Sequence, residues 1–189
     1  MICGRSVEVF LDEIRDFHGF VAPGLVLGGF MVDIAKQGLE QGVEADVIVE
    51  TSHCLPDAVQ ILTPCTIGNG WMKILDWDKF ALTFYDRHQL NGYRVWLDLN
   101  RAENYPNIYK WFLKLVPKNE FPIEVLLNSI LEAERNLFSC REVQVTDMNS
   151  RTKKGELGIC PVCREAYSKK QGEMCLSCQG STYFDYYYD

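Results

Sequence analysis

Two Cys-x-x-Cys pairs, Cys160-Pro161-Val162-Cys163 and Cys175-Leu176-Ser177-Cys178, stand eleven residues apart and constrain this chain more than any other feature. Each pair forms a tight knuckle whose two thiolates meet one ion, and two knuckles complete a tetrahedral all-sulfur zinc site. A module of about 25 residues cannot build a sufficient core, so metal binding must fold it. Cys160, Cys163, Cys175 and Cys178 are therefore expected to bind one structural zinc in a C-terminal zinc ribbon, with Gly172 and Gly180 supplying turns. Four thiolates close the coordination sphere and leave no position for a substrate. Four unrelated thiols, or a redox Cys-x-x-Cys, are the bland alternatives.

Eight cysteines in a chain without a visible secretory signal suggest metal or redox chemistry rather than a disulfide framework. Residues Met1 to Phe17 show no apolar signal core, and no apolar run reaches the roughly 20 residues of a membrane helix. A cytoplasmic protein is expected. The net charge of −7 argues against general nucleic-acid binding, and the ribbon's few cations (Arg164, Lys169, Lys170) do not reverse that. At 189 residues and 47% hydrophobic content, the chain holds one ordinary domain plus a small module.

Helical spacing of Val7, Phe10, Leu11, Ile14 and Phe17 after a Ser6 N-cap predicts a first helix ending at His18-Gly19. A second helix is expected from Pro23-Gly24 to a stop at Gly42, with Leu25, Met31, Val32, Ala35 and Leu39 inward. Gly28-Gly29 inside it requires close backbone packing, because each glycine costs roughly 1 kcal/mol relative to Ala. Alternation predicts strands around residues 80–85 and 94–99, joined by a hairpin that includes Asn91-Gly92. His88, in that connection, reads as a solvated turn residue. Further helices are expected from Asn104-Pro106 (Ile108, Phe112 and Leu115 inside) and from Pro122 (Ile123, Leu126, Leu127, Ile130, Leu131 and Leu137 on one face). Tyr109, Trp111 and Phe112 read as packing aromatics, and a short strand is expected over residues 142–146. The fold class is α+β. A mixed core domain spans residues 1–147, a polar linker 148–158, and the ribbon with its aromatic, acidic tail 159–189. That tail is expected to pack on protein.

The central stretch runs from Glu50 to Gly70. A strand with Val47, Val49 and Thr51 on one side leads to His53 and Cys54. Pro56 and Asp57 open a short helix that stops at Thr63-Pro64, and Cys65 follows. Two thiols thus flank one helix. At a helix N-terminus Cys54 is placed where a thiolate is favoured, or the two are simply buried, reduced cysteines.

Three pieces together resemble the FmdE family, named for a component of formylmethanofuran dehydrogenase. They are Phe17-His18-Gly19-Phe20-Val21-Ala22-Pro23-Gly24, the Cys54-to-Gly70 stretch, and the C-terminal four-cysteine module. The resemblance covers essentially the whole chain. It implies an α+β core followed by a zinc ribbon, and an intertwined homodimer. The enzyme named interconverts carbon dioxide and formylmethanofuran on a molybdenum or tungsten pterin that the FmdE component does not carry. Two departures stand out. The family pattern is similar to FHGHxCPG, and here its second His is Phe20 and its Cys is Ala22. The pattern TGCTxGKG is here Thr63 to Gly70, with Pro64 for the first Gly and Asn69 for the Lys.

The resemblance implies that these segments converge on a cleft, leaving His18, Cys54 and Cys65 as candidates for a second divalent metal or a thiol centre, with Asp57 and Thr66 nearby. Two functions follow. One is a zinc-binding accessory or interaction protein with a molybdenum or tungsten enzyme as partner. The other is an enzyme with a Cys/His metal or thiol site in the core cleft.

Overall fold

A computed structural model describes residues 1–117, 122–146 and 156–181. The chain forms two compact units, Met1–Thr146 and Asp147–Asp189.

In the first unit, α1 (Val7–His18) starts at Ser6, whose hydroxyl accepts from the Val9 N–H at 3.3 Å. It ends at Gly19, whose φ of 90° lets its N–H return to Arg15 O at 2.9 Å. The central helix α2 (Pro23–Gly38) is buried along most of its length against β3, β4, α3 and α6. β1 (Ala45–Val49) leads through α3 (Leu55–Leu62) to β2 (Met72–Ile74), which pairs with β1 in parallel. β3 (Ala81–Asp86), β4 (Asn91–Leu97) and β5 (Phe138–Gln144) add antiparallel strands in the order β2-β1-β3-β4-β5. Between β4 and β5 come α4 (Leu99–Ala102), α5 (Pro106–Phe112) and α6 (Ile123–Ala133), the last followed by one 3-10 turn. The class is α+β with a mixed sheet.

The expected close packing at Gly28-Gly29 is present. A Cβ on Gly28 would lie 2.7 Å from the Ala58 Cβ, and one on Gly29 would lie 2.4 Å from Phe10 Cε1. Gly29→Ala should therefore destabilise the core by roughly 1–3 kcal/mol through overpacking, although the same change on an open helix face would stabilise it by about 1 kcal/mol. A urea midpoint that rises instead would show that the fully buried Phe10 ring gives way.

Several local expectations are corrected. α2 stops at Gly38 rather than Gly42, and Leu39 is already extended. Asn91-Gly92 begins β4 instead of making the turn. The turn is Arg87 to Leu90, organised by Asp86, whose carboxylate accepts from the backbone N–H groups of His88 (2.6 Å) and Gln89 (2.9 Å). Those bonds, that of Gln89 first, hold the Asp86 carboxyl below its usual range. β2 has only three residues and no alternation to betray it. β5 starts at Phe138, four residues before the expected strand. Leu115 lies beyond α5, and Ile123 is 49% exposed at the start of α6.

A partly buried ion pair links β4 to the end of β1. Glu50, 3% exposed, follows β1 and takes both Nε and Nη2 of Arg94 on β4, at 2.6 and 2.7 Å. This two-pronged geometry suits a guanidinium.

The second unit contains β6 (Leu157–Ile159) and β7 (Ala166–Ser168), paired antiparallel, and a 3-10 turn, Lys169–Gln171. β6 begins inside the span read as linker. The rest of that linker, up to residue 155, and the aromatic tail from residue 182 lie outside the described residues.

Candidate functional site

In the second unit the four cysteines converge. Their sulfur atoms lie within 4.8 Å of one another. Each knuckle closes in the same way: Arg164 N–H donates to Cys160 O at 3.0 Å, and Gln179 N–H to Cys175 O at 3.1 Å. Positive φ at Arg164 (67°) and Gly180 (100°) turns the chain after each pair. The fit to zinc can be checked on distance. Four sulfurs at about 2.3 Å from one ion stand about 3.8 Å apart on a tetrahedron, and Cys163 and Cys175 Sγ are 3.8 Å apart.

Backbone N–H groups aim at the sulfurs, as in Cys178 N–H to Cys175 Sγ at 3.5 Å. Such bonds, that from Cys175 first, bring the Cys160 thiol down to about 6. Cys178 is pushed up to about 12, first by its hydrogen bond with Cys175. The metal-free cluster thus favours one thiolate over several, and a divalent cation removes that penalty by neutralising the others. When bound, zinc supplies a structural crosslink with every ligand position filled.

In the first unit, the three core candidates separate into two places. His18, the last residue of α1, contacts Asp57 Oδ2 through Nδ1 at 2.7 Å. Asp57 lies in the first turn of α3, three residues after Cys54. His18 and Cys54 therefore belong to the same end of α3. Cys65 does not. It lies past the other end, 2% exposed, with Sγ donating to Ala45 O at 3.4 Å near the start of β1. Eight helical residues span about 12 Å, so α3 acts as a rigid spacer between the two thiols. The structure thus sets Cys54 and Cys65 at opposite ends of α3, although the resemblance implies that their segments converge on one cleft. Burial, first of all, also raises the Cys65 thiol above its ordinary value and disfavours a thiolate there. Among the described residues, the four finger cysteines are the one group of three or more Cys, His, Asp or Glu donors close enough to share an ion.

The departures from the family pattern have visible structural roles. The Phe20 ring, 59% exposed, sits 4.9 Å from the His18 ring at 50°. Asn69 turns inward on its own loop. Its Oδ1 accepts from the N–H groups of Thr66 and Trp71, both at 3.0 Å, and its Nδ2 donates to Pro64 O at 2.6 Å.

Cys54 itself has φ 58° and ψ −50°, and the Leu55 N–H reaches back to His53 O at 2.6 Å. This is a γ-turn of the strained, positive-φ kind. Its sulfur rests on the first turn of α2, where a Cβ on Gly24 would come within 2.7 Å of Sγ. Sequence reasoning did not foresee the role of Gly24, although glycine beside Pro23 at a helix start was a readable signal of close approach. None of the eight cysteines is in a disulfide. No helix among the described residues is long and apolar enough to cross a membrane.

A five-stranded mixed sheet wrapped around a buried helix, with a separate four-cysteine finger, defines a zinc-binding α+β protein. The chain belongs to the family described as FmdE, Molybdenum formylmethanofuran dehydrogenase operon, whose model matches residues 17–147. Residues 151–185 match the FmdE treble clef zinc finger. The chain is similar to a tungsten formylmethanofuran dehydrogenase FmdE-like protein from Syntrophus aciditrophicus of known crystal structure. The two are 42% identical with a TM-score of 0.88 over 97% of each chain. It is also 32% identical over 196 residues to a probable S-adenosyl-L-methionine-binding protein of Archaeoglobus fulgidus, covering 92% of this chain. That match takes in 53% of the relative, so the chain spans about half the length of the curated protein it matches.

Proposed function

We propose that this protein is a zinc-stabilised accessory or interaction protein of molybdenum- or tungsten-dependent formylmethanofuran dehydrogenase-type metabolism, acting as a cytoplasmic homodimer. The observation that carries this reading is the finger. A four-thiolate site is coordinatively closed and builds a surface rather than a reaction centre. On that small module Leu157, Ile159 and Val162 are each more than 60% exposed, an apolar display suited to protein contact. The connection to the dehydrogenase rests on the family description and on the Syntrophus relative. Light scattering should give about twice the chain mass of 21.7 kDa, and the purified protein should co-elute with a purified enzyme of that type. A monomer that never co-elutes overturns the reading.

The His18–Asp57 contact and the strained turn at Cys54 favour a second reading, a metal or thiol enzyme working at the N-terminal end of α3. One imidazole and one thiol are a sparse ligand set, and the family pattern offers a further His and Cys where Phe20 and Ala22 stand. Phe20→His with Ala22→Cys should therefore tighten second-site cobalt binding at least about tenfold when the finger already holds zinc. Cys54→Ser should remove that binding. A titration in which neither change has an effect rules out a metal site at that end.

A further inference from the structure

The environment of His18 is asymmetric in a way that bears on its chemistry. Nδ1 faces Asp57 Oδ2 at 2.7 Å, across 39 residues of sequence. The ring is half-buried, with the Phe20 ring against it. Among the described residues, Nε2 makes no hydrogen bond. A carboxylate oxygen can only accept, so the nitrogen facing it must carry the proton. The other nitrogen of a neutral ring then keeps its lone pair.

We infer that Asp57 is the positioning residue of the α3 N-terminal end, holding the His18 proton on Nδ1 and presenting Nε2 as the electron-pair donor. This rests on the second reading above for its use, and it names the ligand class: a borderline divalent cation such as zinc or cobalt, which takes a neutral imidazole nitrogen. A carboxylate behind an imidazole fixes the ring orientation as well as its tautomer, and it strengthens the donor. Asp57 is well placed for this because α3 holds it rigidly one turn from Cys54, while α1 delivers His18 from its C-terminal end.

The test uses the full chain labelled with nitrogen-15, with finger zinc loaded. Only three histidines need assignment, His18, His53 and His88. Long-range proton–nitrogen spectra are recorded at alkaline pH, where imidazoles are neutral. The expected result is His18 protonated on Nδ1 with a bare Nε2. Asp57→Ala should move the proton to Nε2, the nitrogen free histidine prefers. A wild-type His18 protonated on Nε2 overturns the inference without any variant being needed. So does Asp57→Ala that leaves Nδ1 protonated. The two readings fail separately: absence of second-site cobalt removes the metal use, and leaves the tautomer measurement standing.

Discussion

Replacing Cys160 by serine should strip the protein of zinc and unfold the finger while leaving the core folded. Purified wild type should hold about one zinc per chain, as one four-thiolate site requires, and Cys160→Ser close to none. The cause is the economy of the module. Cys160 is fully enclosed, but Leu157, Ile159 and Val162 are exposed, and the two short strands bury little. Without the ion nothing replaces the conformational entropy lost on folding. The cores are separate units, so amide protection in residues 1–146 should be unchanged while that in 156–181 collapses. Acid should mimic the substitution, because protons compete with zinc for each thiolate and affinity therefore falls as pH falls. Zinc content unchanged in Cys160→Ser would dismiss the four-cysteine site.

The largest effect expected on the core is that of Gly92→Ala. A Cβ there would stand 2.1 Å from Phe84 O and 2.5 Å from Tyr85 Cα. Those are backbone atoms of β3, whose six residues are all buried between neighbours, so they have no room to withdraw. Overpacking that side chains cannot relieve lies at the upper end of its usual range, about 3 kcal/mol or more. For a chain of this size that lowers the thermal midpoint by roughly 6–12 °C. Gly42→Ala is the useful comparison. No atom lies within 4 Å of the added carbon, and only the φ of 86° opposes it. The loss there should be smaller, about 1 kcal/mol. A loss at Gly92 no larger than that at Gly42 would mean that β3 gives way to the added carbon.

Local chemistry was legible in the sequence wherever one short segment determines its own geometry. The Cys-x-x-Cys spacing defines a knuckle, Ser6 caps α1 through an atom three residues away, and Gly28-Gly29 announces a close approach without saying to what. The sequence also showed the order of elements around Cys54. It did not show Asn91-Gly92 inside a strand, because a glycine that permits close strand packing looks the same as one that makes a turn. Nor did it show β2, whose pairing comes from β1 and not from its own three residues. The candidate site divided in the same way. That His18 and Cys65 were chemistry-bearing residues could be read from their types and motifs. That His18 reaches Asp57, while Cys65 is carried to the start of β1, was decided by the length and direction of α3. Side chains tens of residues apart meet only where packed elements bring them. The packing is a property of the whole core, while a motif reports only its own few residues.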